Sequence, residues 1–433
     1  MATDARRVFA KAAQRLIPFM GLLYVVAFLD RVNVGFAALT MNKDLGFSPE
    51  VYGFGAGIFF FGYFLFEVPS NIILEKLGAR LWICRIMLTW GVVSMATAFV
   101  SDATGFYIVR FLLGAAEAGF FPGMVLYLTY WFPSATRARF IALFLAAVPL
   151  ANVIGGPISG YLLGVEGHLQ LRGWQWLFLL EGLPSVLLGL AVLVWMPDRP
   201  AKARWLSDEE KAVAIAALAL EAPREHTRFL PMLRDRRVWL LSIPDFGIVL
   251  ALYGLNLWLP QIVKEMGFSN IETGFVVALP YIVSMVVMVL WGMSSDARGE
   301  RIWHIVAATL LGAVGLVGAA FTHSHLGILI TLTIAAAGIY AALSVFWTLP
   351  TSFLGGTAAA GGIALINSIS NTGGFFGPYI MGWLKQHTGS YSAGLGVLSV
   401  GLIVAAILIV TIGRTLTFGG RAQALEKYTR MNV

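Results

Sequence analysis

Charge is scarce in this chain. Of its 433 residues only 12% are Asp, Glu, Lys or Arg, against about a quarter in soluble domains. Cysteine is scarcer still: the single Cys84 excludes an intramolecular disulfide and the commoner zinc clusters. His168, His323 and His325 fall at loops and lack metal-ligand spacing, so no metal and no cofactor is expected. No short alternating strands occur, which excludes a membrane barrel. No nucleophile and base stand in a catalytic arrangement, which argues against an enzyme. Gly53, Gly55 and Gly57 open an apolar helix with no strand before them, so they suit close helix packing rather than a phosphate loop. No cleavable leader is expected, because the basic start runs into an apolar stretch holding Asp30 and Arg31 without a small-residue cleavage site.

Apolar residues fill the space that charge leaves. They make up 58% of the chain, with a mean hydropathy of +0.79. They fall in blocks of about 20, the length a helix needs to cross the hydrocarbon core. Reading the blocks between polar breaks predicts twelve spans: 17–40, 51–74, 80–100, 103–131, 138–163, 174–196, 238–263, 272–293, 302–321, 326–349, 359–384 and 391–413. One long polar stretch divides them six and six. The expected organisation is an N-terminal bundle over 1–196, a connector over 197–237, and a C-terminal bundle with a short tail over 238–433. Within the connector, Ser207-Asp208-Glu209-Glu210 is a capping box that opens a short helix toward Glu221.

Lysine and arginine predict the orientation. With the N-terminus inside, the inner segments hold 24 basic residues and the outer loops only Lys43, Arg172, Lys264 and Lys385. Arg31 and Arg110 stand within spans. Positive charge stays on the cytoplasmic side during insertion, so both termini are expected there. That asymmetry also accounts for the net charge of +7 better than nucleic-acid binding does.

The halves repeat. Gly46-Phe47-Ser48 recurs as Gly267-Phe268-Ser269, Gly53-Phe54 as Gly274-Phe275, Gly78 as Gly299, and Gly156-Pro157 as Gly377-Pro378, each 221 residues on. Four matches at one offset identify a duplicated unit, and two parallel six-helix halves place a substrate site between them near the midplane.

The inner loop Glu75-Lys76-Leu77-Gly78-Ala79-Arg80 and its fuller copy from Gly292 through Asp296, Arg298 and Gly299 to Arg301 resemble the loop motif of the major facilitator superfamily. Asp30-Arg31-Val32-Asn33, Phe66-Glu67-Val68-Pro69-Ser70-Asn71, the run from Arg110 to Pro122, Tyr130-Trp131-Phe132-Pro133, Leu180-Glu181-Gly182-Leu183-Pro184, and Asn256-Leu257-Trp258-Leu259-Pro260 resemble its anion:cation symporters. The resemblance covers nearly the whole chain and is nearest to the branches for tartrate, phthalate and sugar acids. It implies an all-α integral membrane protein with twelve transmembrane helices in two six-helix repeats. It also implies a bacterial inner-membrane location, a monomer as the working unit, and a small organic acid and protons as partners, with no nucleic acid.

Ionisable side chains inside a membrane are costly, which makes them functional candidates by default. Asp30 and Arg31 lie near the middle of span 1. Arg110 and Glu117 are seven residues apart in span 4, on one face and about 10 Å apart along the axis. Four such charges are expected to form a network, although two ion pairs that merely fix helix packing are the plainer reading. The resemblance implies that Arg31 engages the substrate carboxylate, that Asp30 and Glu117 take up protons, and that Arg110 links the acid of span 1 to the site. A planar guanidinium suits a carboxylate because it binds bidentately. A substrate anion and a proton would then favour each other's binding, the thermodynamic core of symport.

The resemblance adds Tyr63, Ser344, Trp347 and Asn367 as pocket residues; taken alone, each could equally serve packing or helix-to-helix hydrogen bonding. Glu67 and Asp245 are expected at gates or helix ends, and Glu181 in a structural role. Where the sugar-acid branch has a glutamine in span 5, this chain has Val148, which favours a shorter diacid such as tartrate, or an aromatic acid such as phthalate. Span 5 also carries Gly155-Gly156-Pro157 between Asn152 and Tyr161, a partial match to a drug antiporter motif, read here as a bend. The expected function is proton-coupled import of a small organic anion by alternating access. An exchanger or exporter of the same acids is the alternative, with a transporter-like receptor behind it.

Overall fold

The computed structural model describes residues 2–133, 140, 147–219, 236–353 and 357–431. Among them the chain is helical almost throughout. The first half comprises α1 (Ala2–Leu45), α2 (Pro49–Leu77), α3 (Ala79–Ala96), α4 (Ala103–Glu117), α5 (Phe120–Trp131), α6 (Ala147–Leu162) and α7 (Gly173–Trp195). The connector carries α8 (Asp208–Ala219). The second half comprises α9 (Arg236–Lys264), α10 (Asn270–Arg298), α11 (Ile302–Phe321), α12 (His325–Phe346), α13 (Thr348–Phe353), α14 (Thr357–Asn371), α15 (Gly373–Thr388) and α16 (Ser392–Met431).

Ten of the described helical segments are long and apolar enough to cross a membrane. They match the expected spans 1–4, 6–10 and 12. Span 5 is described at Phe140 and as a continuous helix from Ala147; the rest of its expected start, with Arg139, lies outside the described residues, as does Arg137 just before it. Span 11 is divided at Thr372 into α14 and α15. The arrangement is the twelve-helix one.

Breaks within spans put backbone irregularity beside the middle of the protein. Span 4 splits into α4 and α5 at Ala118 and Gly119, where Gly119 has φ +87°. A side chain there would be strained by that φ, and its Cβ would sit 2.3 Å from Ser70 Oγ. Glu117 is the last residue of α4, at this break. The repeat-related span 10 breaks between α12 and α13, at Trp347.

The duplicated glycines meet crosswise. α2 lies against α15, and α6 against α10, so each half sends one helix onto the other. A Cβ on Gly53 would lie 2.6 Å from the Pro378 carbonyl oxygen, and one on Gly274 2.3 Å from the Gly156 carbonyl oxygen. Gly53 and Gly274 are repeat mates, as are Gly156-Pro157 and Gly377-Pro378. The same Gly-Pro element of each half therefore makes a corresponding close contact with the other half, shifted by one residue between the two (Pro378 in one, Gly156 in the other), both near the face opposite the chain termini. Backbones can approach so closely only where side chains are small, and packing of this kind holds helices together in lipid. Between the halves, Tyr52 Oη donates to the Leu257 carbonyl at 2.7 Å; within the second half, Trp258 Nε1 donates to the Pro378 carbonyl at 3.1 Å.

The connector docks on the first half. Ser207 and Glu210 form the expected capping box, with Glu210 N to Ser207 Oγ 3.1 Å and Ser207 N to Glu210 Oε2 2.9 Å. Glu210 also accepts from Lys11 Nζ at 2.8 Å, and that ammonium, with the capping contact, holds its carboxyl below the usual carboxylate range. Arg15 lies over Trp195 and Trp205, and Trp205 stacks on Trp131. The expected end of this helix near Glu221 falls outside the described residues.

Candidate functional site

Arg31 stands where the halves meet. Its Nη2 is ion-paired with Glu117 of α4, and its Nη1 donates to the Tyr253 hydroxyl of α9 at 2.9 Å. The guanidinium lies 5.3 Å from the rings of Phe59 and Tyr63 and 5.7 Å from that of Phe28. Arg31 is 8% exposed and Glu117 1%, and Arg31 Nε is buried with no hydrogen-bond partner among the described residues. A buried pair of this kind does little for stability compared with apolar packing, whereas removing one partner strands the other's charge at a cost of about 3–5 kcal/mol. The arrangement can therefore exchange one anion for another at Arg31 far more easily than it can lose the anion altogether.

Asp30 faces elsewhere. Adjacent residues on a helix point about 100° apart, and this turns the Asp30 carboxylate toward α3 and α7. It accepts from Trp90 Nε1 at 2.7 Å, Ser94 Oγ at 2.9 Å and Ser185 Oγ at 2.5 Å. Arg110 is fully buried; its Nη2 donates to the Ala56 carbonyl at 3.3 Å and its guanidinium lies 5.2 Å from the Phe59 ring. Among the described residues it forms no ion pair, and its Nε and Nη1 have no hydrogen-bond partner. The four charges expected to form one network are thus divided: Arg31 and Glu117 are brought together, while Arg110 is not joined to Asp30. Neutral donors from two other helices occupy the aspartate instead.

Tyr63 is buried, with its ring toward Arg31. The C-terminal candidates are placed as follows. Ser344 Oγ donates to the Ala341 carbonyl of its own helix at 2.8 Å. Trp347, partly buried at the break of span 10, stands edge-on to Phe346. Asn367 Nδ2 donates to Glu67 Oε1 at 3.0 Å, and Ser368 Oγ donates to Glu67 Oε2. Glu67 is therefore a cross-half contact between α2 and α14. Glu181 accepts from Ser159 Oγ at 2.7 Å, and Asp245 is fully buried in the early turns of α9.

Sequence reasoning missed Tyr253, although a tyrosine within the apolar run of span 7 was a visible signal. It also missed a second polar bridge between the halves. Asn152 of α6 donates to the Tyr340 hydroxyl at 3.3 Å, Asn256 donates to the same oxygen at 3.2 Å, and Tyr281 donates to Asn256 Oδ1 at 2.9 Å. In the sequence, Asn152 reads only as part of the bend at Gly155-Gly156-Pro157.

Two six-helix halves, with a buried cation held by both where they meet, define a multi-pass membrane transporter. The Major Facilitator Superfamily profile matches residues 20–378, and the chain belongs to that superfamily. It is 52% identical over 413 residues to an Agrobacterium vitis protein named "Putative tartrate transporter", covering 94% of this chain and 95% of that one. It is 45% identical over 399 residues to an Acinetobacter baumannii protein named "Quinolone resistance transporter", covering 91% and 92%. Among solved structures, a bacterial homologue of the human lysosomal transporter Spinster superposes with a TM-score of 0.74 at 19% identity, over 92% of this chain and 96% of that one. That likeness shows the shared fold.

Proposed function

We propose that the protein is a proton-coupled symporter importing a small organic anion, a carboxylate of the tartrate or aromatic-diacid kind, by alternating access. The reading places it in the bacterial inner membrane with both termini in the cytoplasm, consistent with the excess of basic residues on that side. The observation that carries it is the buried Arg31–Glu117 pair, whose cation also reaches Tyr253 in the other half.

The substrate carboxylate takes the place of Glu117 on Arg31. Glu117 then faces a dry interior without its cation, a situation relieved by binding a proton. Anion and proton thereby support each other's binding, and this linkage is reciprocal. Asp30, held by neutral donors rather than by arginine, is the second candidate acid. With two acids, uptake of a monoanion carries one net positive charge inward, and uptake of a dianion such as tartrate carries none. Each such charge draws about 2.3 kcal/mol from a 100 mV potential. Tyr63, Ser344, Trp347 and Asn367 line the remainder of the pocket in this reading, and the carrier works as a monomer. The 52% identity to a protein named for tartrate supports the substrate class.

The test is reconstitution. Proteoliposomes under an inward proton gradient are expected to accumulate tartrate, phthalate or a related acid, and Arg31→Ala is expected to abolish binding. Unchanged affinity in that variant rejects the carboxylate contact. A second reading, export, is favoured by the identity to a protein named for quinolone resistance. It predicts that the same vesicles extrude a quinolone and fail to accumulate the acids.

A further inference from the structure

We propose that Glu67 sets the specificity of the pocket by fixing the orientation of Asn367, so that the site selects a hydroxylated carboxylate over the same acid without hydroxyls. The inference rests on the anion site at Arg31 proposed above.

Glu67 is 2% exposed, and both of its oxygens accept from α14, one from Asn367 Nδ2 and the other from Ser368 Oγ. As a carboxylate Glu67 has no hydrogen to donate, and even with a proton on Oε2 toward the Ser368 hydroxyl it keeps Oε1 as an acceptor for Asn367. An asparagine carboxamide has donors on one side and an acceptor on the other. With its NH2 group drawn to Glu67, Oδ1 is turned away. The reverse orientation would set two acceptors against each other in a desolvated interface, leaving a buried polar group unsatisfied. Oδ1 receives no hydrogen bond among the described residues, and the side chain is partly exposed. What Asn367 offers a ligand is therefore an acceptor.

The geometry connects this acceptor to the anion site. Tyr63 and Glu67 are four residues apart and share one face of α2, about 6 Å apart along the axis. The Tyr63 ring lies 5.3 Å from the Arg31 guanidinium. Arg31, Tyr63, Glu67 and Asn367 form one run from the first half to the second. A ligand with a carboxylate on Arg31 meets an acceptor at Asn367, and only a donor satisfies it. A hydroxyl does so; a second carboxylate or a methylene does not.

L-tartrate and succinate are suitable probes, since they share a four-carbon dicarboxylate and differ only in two hydroxyls. Binding to the purified full-length protein is measured for both. The wild type is expected to prefer L-tartrate by about tenfold or more, the scale of one unmet buried hydrogen bond. Glutamine can present either a donor or an acceptor, so Glu67→Gln frees Asn367 to turn over and the preference is expected to fall severalfold. Glu67→Asp keeps an acceptor-only group and is expected to restore most of it. Equal binding of the two acids by the wild type, or an unchanged ratio in Glu67→Gln, overturns the proposal. Arg31→Ala separates the layers. L-tartrate binding that survives it overturns the anion site itself, whereas lost binding together with an unchanged Glu67→Gln ratio overturns only the orienting role.

Discussion

Arg31 of α1 donates to the hydroxyl of Tyr253 of α9 at 2.9 Å, so the cation paired with Glu117 in one half is also held by the other. A hydrogen bond to a charged group contributes about 1.5–3 kcal/mol. Tyr253→Phe removes that tie and leaves the ring in place. States in which the halves part should become about tenfold more populated. Faster thiol modification in a Ser344→Cys background measures this, and the native Cys84 is buried. An unchanged rate would show that the bond is absent from the state being left.

Asp30 separates structure from coupling. Its oxygens satisfy the Trp90 indole and the hydroxyls of Ser94 and Ser185. Asparagine keeps one acceptor for the indole, and a hydroxyl can rotate to accept from the new NH2 group. Asp30→Asn is therefore expected to unfold near the wild-type temperature. Asp30→Ala strands a buried indole N–H and is expected to cost about 1–3 kcal/mol. If Asp30 carries a proton, Asp30→Asn also loses gradient-driven accumulation while retaining exchange. Thermal melts and paired flux assays read the two effects independently.

The crosswise glycines make a prediction about conformation. A methyl on Gly274 would sit 2.3 Å from the Gly156 carbonyl oxygen, with backbone on both sides and no flexible side chain to yield. Gly274→Ala is expected to force the halves apart at the face opposite the termini. Its repeat mate Gly53→Ala should do the same against Pro378. Thiol reagents applied from that face should then reach an introduced pocket cysteine faster in both variants. If only one variant responds, the two contacts are not equivalent.

Much of this architecture was legible from hydropathy. Lipid imposes length and apolarity on each span, and the 221-residue offset marked Gly53, Gly274, Gly156 and Pro378 before their contacts were known. The offset could not show that repeat mates pack across the halves rather than within them, because a sequence match carries no partner. At the site, intramembrane charge identified Arg31, Glu117, Asp30 and Arg110 by type. Rotation about α1 then decided their partners: neighbours in sequence face different helices, so Asp30 met Trp90 and left Arg110 apart. Tyr253 and the Asn152–Tyr340–Asn256 bridge escaped notice because neutral polar residues carry no cost large enough to stand out in an apolar run.

The exchange of anions at Arg31 is tested most directly with Glu117→Gln in proteoliposomes, comparing accumulation driven by an inward proton gradient with counterflow at equal pH. A neutral isostere should bind substrate and sustain counterflow while abolishing accumulation. Full gradient-driven accumulation by that variant would remove Glu117 from the coupling and contradict the account.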